Sequence, residues 1–181
     1  RKYKARLVAH GYTQNGQPGS SNDAAASAEI RATTQRIRSQ FLGGGGAATG
    51  IAELIVEDLV DGEGLEREAA LEHVRLFDIN GLMTRHRDDL ADFQKVFVCD
   101  ADPCDDFVQA IRDFQPTGII GVSTVGGAFT DEIIETMAQI NDRPLIFPYS
   151  NPTSRSECTA QAAYDGTNGR VLFGSGTPMP K

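Results

Sequence analysis

The stretch QFLGGGGAATGIAELI, residues 40–55, runs from two apolar residues through four consecutive glycines into a second apolar segment. After the glycines, apolar residues recur at helical spacing, which predicts a helix from about Gly46 to Val60. A glycine string costs conformational entropy wherever it is ordered, so this segment must need glycine for a structural or functional reason.

The string fits the pattern G-x-G-x-x-A through Gly43, Gly45 and Ala48. In a dinucleotide-binding turn, the first glycine makes the tight bend after a strand and the second lets the backbone approach the pyrophosphate. The third small residue lets the helix pack on the strand, and free N–H groups at the helix start face the phosphates. The residues predicted to bind cofactor here are Gly43, Gly45, Gly46, Ala47 and Ala48.

A carboxylate follows at the end of the apolar run VRLFD. Asp78 lies 33 residues after Gly45, and the intervening helical run LEREAALEHV accounts for this long spacing. At that strand end a carboxylate can accept hydrogen bonds from the adenosine ribose. An Asp that merely caps the turn DINGL is an equally good interpretation, because Asp is common in turns.

Strand and helix patterns alternate along the rest of the chain, which predicts an α/β fold with a Rossmann-like, doubly wound, mainly parallel sheet. The segment RIRSQFL before the glycines has little strand character. Further predicted strands are VRLFD, KVFVCD, TGIIGVS, RPLIFPYS and GRVLFGS, and further predicted helices are LEREAALEHV, DDFVQAIRDF and TDEIIETMAQIN.

Charge divides the chain unevenly. Residues 1–40 carry seven Lys and Arg against two Asp and Glu, whereas residues 41–181 carry ten against twenty-three. We expect a basic, disordered tail and linker at 1–29 and one domain at 30–181. The acidic domain argues against a nucleic-acid partner, and no apolar run is long enough for a membrane span. Three cysteines without a metal-binding spacing indicate free thiols in a reducing intracellular compartment.

Several segments resemble the NAD(P)-binding domain of malic enzymes over about residues 36–179, and they occur in the same order as in that family. They are FLGGGGAATGIAELI, RLFDINGLM, GRVLFGSGTP and the long run from QPTGIIGVSTVGG through SNPTSRSECTAQAAY. The resemblance implies oxidative decarboxylation of malate to pyruvate and carbon dioxide, with NAD or NADP and Mg²⁺ or Mn²⁺. The family usually has Glu where this chain has Gly46, which puts the strength of cofactor binding in question.

The resemblance also implies further site residues. Asp78 matches the ribose-binding acid, the loop GVSTVGG matches the segment under the nicotinamide, and Asn151 matches a residue that reaches both cofactor and substrate. An ordinary turn after a strand is the alternative for Ser150-Asn151-Pro152. The cofactor contacts implied beyond the glycine string are Asp78, Val122, Ser123, Gly126, Ser150 and Asn151.

The tyrosine acid, lysine base and metal-binding carboxylates of the family lie upstream of its glycine turn, and nothing before residue 36 matches them. We therefore expect no catalytic or metal-binding residue in this chain, and malate binding only together with a further substrate domain. A non-catalytic nucleotide-binding or interaction module, or a gene-fusion remnant, is the alternative. A homo-oligomer is left open.

Two further features of the sequence concern its N-terminal segment and the choice of cofactor. KYKARLVAHGYTQ, within the tail, resembles a short stretch of the reverse transcriptase of copia-type retrotransposons, without catalytic aspartates. The choice between NAD and NADP stays open: Arg85, Arg87 or Lys95 could meet a 2′-phosphate, whereas Asp78 leans slightly towards NAD. The resembled family uses such an acid with both cofactors.

Overall fold

A computed structural model of the chain describes residues 37–179. Its centre is one six-stranded sheet in the order β3-β2-β1-β4-β5-β6, parallel throughout except that β3 pairs antiparallel with β2. This order confirms the Rossmann-like, doubly wound prediction. The strands are β1 (Ser39–Leu42), β2 (Val74–Asp78), β3 (Gly81–Leu82), β4 (Gly118–Gly121), β5 (Leu145–Pro148) and β6 (Leu172–Phe173).

Six α-helices connect the strands within the described part of the chain. The helix after the glycine string is the longest, and three of the others begin at a side-chain cap: Asp106, Thr130 and Thr159 each accept hydrogen bonds from backbone N–H groups of the first turn. The helices are α1 (Gly46–Glu63), α2 (Arg67–Leu71), α3 (Asp92–Lys95), α4 (Phe107–Phe114), α5 (Asp131–Ile140) and α6 (Ala160–Gly166).

The helices cover both faces of the sheet and form two apolar cores. One face packs Phe41 and Leu76 against α1 and α2, and the other packs Ile119 and Ile146 against α4, α5 and α6. Because both faces are covered, strands such as GIIG are almost wholly apolar. No helix among residues 37–179 combines the length and apolar character that crossing a bilayer requires.

The structure corrects two predictions about strands. The segment RIRSQFL, with its weak strand pattern, supplies β1 at the centre of the sheet, where it pairs with both β2 and β4. KVFVCD is not a strand: it follows α3 along the sheet edge, buries Phe97, and makes a single bridge between Cys99 and Thr84. Its continuous apolar run reflects the burial of Phe97, not pairing with a neighbouring strand. The predicted tail at 1–29 lies outside the described residues.

Alanine substitutions at two glycines, one within α1 and one at its C-cap, should have opposite effects on stability. Gly50 is exposed in the helix interior, and an added Cβ would meet no atom within 4 Å. Gly64 ends the helix with a φ of 74°, a left-handed conformation that disfavours a side chain. We expect Gly50→Ala to raise the free energy of unfolding by about 0.5–1 kcal/mol and Gly64→Ala to lower it by about 1 kcal/mol in urea titrations. Changes of the same sign would contradict this assignment.

Candidate functional site

The carboxyl ends of the parallel strands meet at one edge of the sheet. Leu42 at the end of β1 is in register with Phe77 on one side and Gly121 on the other, and Gly121 is in register with Pro148. The chain leaves β1 and β4 in opposite directions here, which creates the crevice in which open α/β sheets bind ligands.

The first two glycines of the string are buried and fixed by the protein. Gly43 donates its N–H to Phe77 and has a φ of 132°, and an added Cβ would lie 2.6 Å from the carbonyl oxygen of Val122. Gly44 packs against Met83, and its carbonyl accepts a hydrogen bond from Gln94 Nε2 at 2.7 Å. The protein itself therefore requires glycine at position 43, and a side chain at position 44 would have to displace the end of Met83.

The next residues face outwards. Gly45, Gly46 and Ala47 are exposed, and an added Cβ on either glycine would meet no atom of the chain within 4 Å. Gly45 is the N-cap of α1 without any capping side chain, and the first turn of α1 contains no acid. Ala48 is fully buried against the sheet. An open helix N-terminus with free N–H groups is thus presented at the crevice.

Asp78 lies at the end of β2 within a dense polar network. Its Oδ1 accepts hydrogen bonds from the Asn80 backbone N–H at 2.8 Å and from Arg87 Nη1 at 2.7 Å, and its Oδ2 accepts from Arg87 Nη2 at 3.1 Å. The Asp78 side chain keeps 18% exposure. Both interpretations of this residue, turn cap and ribose acceptor, are therefore compatible with its position.

The buried carboxyl group of Glu157 joins the two loops on the other side of the crevice. Its Oε1 accepts hydrogen bonds from the Ser123 N–H at 2.8 Å, from Ser123 Oγ at 2.9 Å and from Ser150 Oγ at 2.5 Å. Its Oε2 accepts from the Ser150 N–H at 3.3 Å. An added Cβ on Gly121 would lie 2.5 Å from the Glu157 carboxyl carbon, so β4 must end in glycine for this side chain to fit.

Both serine side chains named from the sequence therefore point to Glu157. Ser150 Oγ also accepts a hydrogen bond from the Thr124 N–H at 2.9 Å. Asn151 is exposed, and its amide makes one long hydrogen bond, at 3.5 Å, to the Tyr149 carbonyl oxygen. The amide is therefore available to a ligand. The assignment of Ser123 and Ser150 as cofactor contacts stays a prediction.

The loop between β4 and α5 lies directly on the segment after β5. An added Cβ on Gly126 would collide with the carbonyl oxygen of Ser154, and Gly127 donates its N–H to Ser156. The Val122 side chain is half-buried against Gly43. Val122 and Gly126 thus shape the crevice, and their contact with a cofactor stays a prediction.

The sequence did not reveal how this site is held together. Glu157, Arg87 and Gln94 all bind the loops of the crevice through their side chains, and of these only Arg87 was named, as a possible contact of a 2′-phosphate. Glu157 stood within the motif SNPTSRSEC, but its burial and its two serine partners depend on the tertiary fold. Periodicity carries no signal for such contacts.

Nucleophilic and metal chemistry find little support in the described residues. Burial, and after it the neighbouring Glu157 carboxylate, raise the pKa of the Cys158 thiol to about 12, so the thiol stays protonated at neutral pH. Between Ile37 and Met179, no group of three or more His, Cys, Asp or Glu side chains could hold a metal ion. The expectation that metal ligands are absent from the whole chain remains a prediction.

Sheet order, glycine turn and strand-end acid together define a dinucleotide-binding domain of the doubly wound class. The family model described as the malic enzyme NAD-binding domain matches residues 20–181. The chain therefore belongs to the malic enzyme family and corresponds to its NAD-binding domain.

Relatives using either cofactor are similar to this chain. An NAD-dependent malic enzyme, mitochondrial, of Ascaris suum is 46% identical over 140 residues, which are 77% of this chain and 22% of the relative. A chloroplastic NADP-dependent malic enzyme of Flaveria trinervia is 45% identical over the same shares. The NADP-dependent malic enzyme of Rattus norvegicus is 40% identical over 84% of this chain and 27% of its own length. The chain thus spans about a quarter of these relatives.

Removal of the Glu157 carboxyl group should destabilise the fold strongly. Glu157→Ala leaves four hydrogen-bond donors of two serines without their acceptor, and each buried unsatisfied group costs about 1–3 kcal/mol. We expect a loss of about 3 kcal/mol or more in urea titrations, and a smaller loss for Glu157→Gln. The exposed Glu135 provides a matched control, for which Glu→Ala should change the free energy of unfolding by less than about 0.5 kcal/mol. Equal losses in the two alanine variants would refute the role of Glu157.

Proposed function

We propose that this chain binds a nicotinamide dinucleotide across the crevice between β1 and β4, as the cofactor domain of a malic-enzyme-type oxidoreductase. The observation that carries the proposal is the division of the glycine string. Gly43 and Gly44 are closely packed against other parts of the protein, whereas Gly45 and Gly46 face open space at the start of α1. A ligand that approaches the backbone there supplies the missing reason for glycine.

The pyrophosphate fits this helix start on electrostatic grounds. The unpaired N–H groups of an α-helix and its dipole favour an anion at the N-terminus. Residues Gly46 to Glu63 form the longest helix of the described chain, and its first turn holds neither a capping side chain nor an acid that would compete with phosphate. The exposed N–H groups of Gly46 and Ala47 would bind phosphate oxygens.

The adenosine would lie over the end of β2. A carboxylate has about four acceptor positions, and the hydrogen bonds from Asn80 and Arg87 use three of those of Asp78. The remaining one, on Oδ2, can accept a ribose hydroxyl. The next residue, Ile79, is 99% exposed and offers apolar surface to an adenine ring.

The nicotinamide would lie over the loops joined by Glu157. The backbone of the loop from Val122 to Gly126 and the exposed amide of Asn151 would contact it, while the hydroxyls of Ser123 and Ser150 hold these loops in place. When bound, the cofactor supplies hydride acceptance. The residues of this chain orient it, and Asn151 can donate a hydrogen bond to a substrate carboxylate.

A side chain at Gly45 should block the cofactor without harming the fold. Gly45→Val places a branched side chain where the pyrophosphate approaches, and its φ of −80° suits valine. We expect NAD⁺ affinity in isothermal titration to fall by at least about tenfold, equivalent to about 1.4 kcal/mol. Gly50→Val makes the same change on an exposed face of the same helix and should leave affinity unaltered. Equal NAD⁺ affinity in both variants would argue against the site.

We infer that the oxidoreductase chemistry of the family needs residues outside this chain. Proton transfer and decarboxylation require an acid, a base and a metal converging on one substrate. The described residues contain no group of three or more His, Cys, Asp or Glu that could hold a metal ion, and the matched part of this chain covers only 22% of the first two relatives. A non-catalytic nucleotide-binding module is therefore the second candidate for the chain by itself.

The purified chain should accordingly show no turnover. With NAD⁺ or NADP⁺, malate and Mn²⁺, we expect no formation of reduced cofactor at 340 nm above the rate without protein, although NAD⁺ binds. A full-length malic enzyme assayed in parallel establishes that the assay is competent. Malate-dependent reduction by the 181-residue chain would overturn the inference.

The remaining expectations concern the N-terminal segment, the cellular compartment and the self-association of the domain. A domain boundary near residue 30, a disordered basic tail and its retrotransposon-like segment fall on residues 1–36, outside the described part. The free thiols of Cys99, Cys104 and Cys158 support a reducing compartment. Self-association of the domain is a further proposal, which light scattering of the purified chain would test.

A further inference from the structure

The guanidinium group of Arg87 is saturated with hydrogen bonds inside the protein. Its Nε donates to Asp89 Oδ1 at 2.8 Å, and its Nη1 donates to Asp78 Oδ1 at 2.7 Å and to the Gly81 carbonyl oxygen at 3.1 Å. Its Nη2 donates to Asp78 Oδ2 at 3.1 Å and to Asp89 Oδ2 at 2.6 Å. Arginine has five N–H donors, so none of them is left for a ligand.

This network is firmly held. The Arg87 side chain is only 12% exposed, and the amide of Asn80 donates a further hydrogen bond to Asp89 Oδ2 at 2.9 Å. The hydrogen bonds that Arg87 donates to Asp89 and then to Asp78 raise the pKa of Arg87, so that it stays charged. The same guanidinium lowers the pKa of Asp89 well below its ordinary range, so that this carboxylate also stays charged.

The network therefore presents an excess of negative charge at the end of β2. One guanidinium lies between two carboxylates, which leaves a formal charge of −1 beside the position where Asp78 would meet the ribose. A 2′-hydroxyl can donate to the open acceptor of Asp78. A 2′-phosphate, with a charge of about −1.5 to −2, would face two carboxylates and a guanidinium whose N–H groups are all used.

The other basic residues considered from the sequence do not fill this gap. Arg85 and Lys95 both line a separate cleft of about 540 Å³ at the sheet edge, together with Arg75, and Lys95 is also paired with Asp92 at 2.7 Å. Of the three candidates for a 2′-phosphate contact, only Arg87 lies at Asp78.

We propose that this chain selects NAD(H) over NADP(H), and that Asp89 is the specificity-determining residue because it holds Arg87 in a saturated arrangement. The inference rests on the proposed cofactor site and names its ligand. Loss of the Asp89 carboxylate would free Nε and one N–H of Nη2 and would remove one negative charge. Arg87 could then donate two hydrogen bonds to a 2′-phosphate while still paired with Asp78.

Isothermal titration of the 181-residue chain with NAD⁺ and NADP⁺ at pH 8 tests the proposal. We expect the unmodified chain to bind NAD⁺ at least about tenfold more tightly than NADP⁺. In Asp89→Ala, NADP⁺ affinity should rise at least about tenfold, because a hydrogen bond to a charged group contributes about 1.5–3 kcal/mol. NAD⁺ affinity should stay within about threefold of the unmodified chain, since Asp78 keeps its place.

Asp88→Ala is the matched control. It removes the same charge from the adjacent exposed residue, whose carboxylate makes no hydrogen bond to the Arg87 guanidinium, so a screened surface effect should raise NADP⁺ affinity by less than about threefold. AMP and adenosine 2′,5′-bisphosphate, which differ only in the 2′-phosphate, should reproduce the two preferences. Circular dichroism of each variant checks the fold.

The outcomes separate the two proposals. Equal or tighter binding of NADP⁺ by the unmodified chain would overturn the selectivity while leaving the cofactor site intact. An Asp89→Ala variant that gains no NADP⁺ affinity, or gains no more than Asp88→Ala, would overturn the role of Asp89. A folded chain that binds neither dinucleotide would overturn the proposed function, and the selectivity with it.

Discussion

The buried carboxyl group of Glu157 is the interaction on which the carboxyl-end loops of the sheet depend. Two serines, one from the loop after β4 and one from the end of β5, each donate both a backbone N–H and a hydroxyl to it. Since a buried group of this polarity is tolerated only when its hydrogen bonds are satisfied, the two loops must stay together. Gly121 ends β4 because any side chain there would occupy the space of this carboxyl group.

Close backbone packing also shapes the crevice opposite these loops. Gly43 approaches Val122 so closely that the turn after β1 and the loop after β4 share one surface. Beyond it the chain opens outwards, and the start of α1 is left uncapped. The loops held by Glu157, the uncapped start of α1 and the paired carboxylate of Asp78 all follow the carboxyl ends of neighbouring parallel strands. A dinucleotide is an extended ligand whose phosphates, ribose and ring can each meet a different part of this edge.

The sequence predicted the frame of this arrangement better than its contacts. Apolar runs identified β2, β4, β5 and β6, because strands covered on both faces need little else. The same logic failed for β1, because the fully buried Gln40 interrupts the apolar pattern of this central strand. It also failed for KVFVCD, whose apolar run buries Phe97 without forming a strand. The glycine turn and Asp78 were visible as local patterns. The partnership of Glu157 with Ser123, 34 residues away, and of Asp78 with Arg87 arises only when the fold brings them together.

The account centres on a dinucleotide lying from the end of β2 across the glycine turn to the loops held by Glu157. The most direct measurement is a ¹H–¹⁵N correlation spectrum of the assigned chain, recorded while NAD⁺ is added. The account predicts that the amide signals of Gly45, Gly46 and Ala47 shift together with those of the loop from Val122 to Gly126, along one saturable curve. Unmoved glycine-turn amides, with shifts confined to another surface such as the cleft beside Arg75, would contradict it.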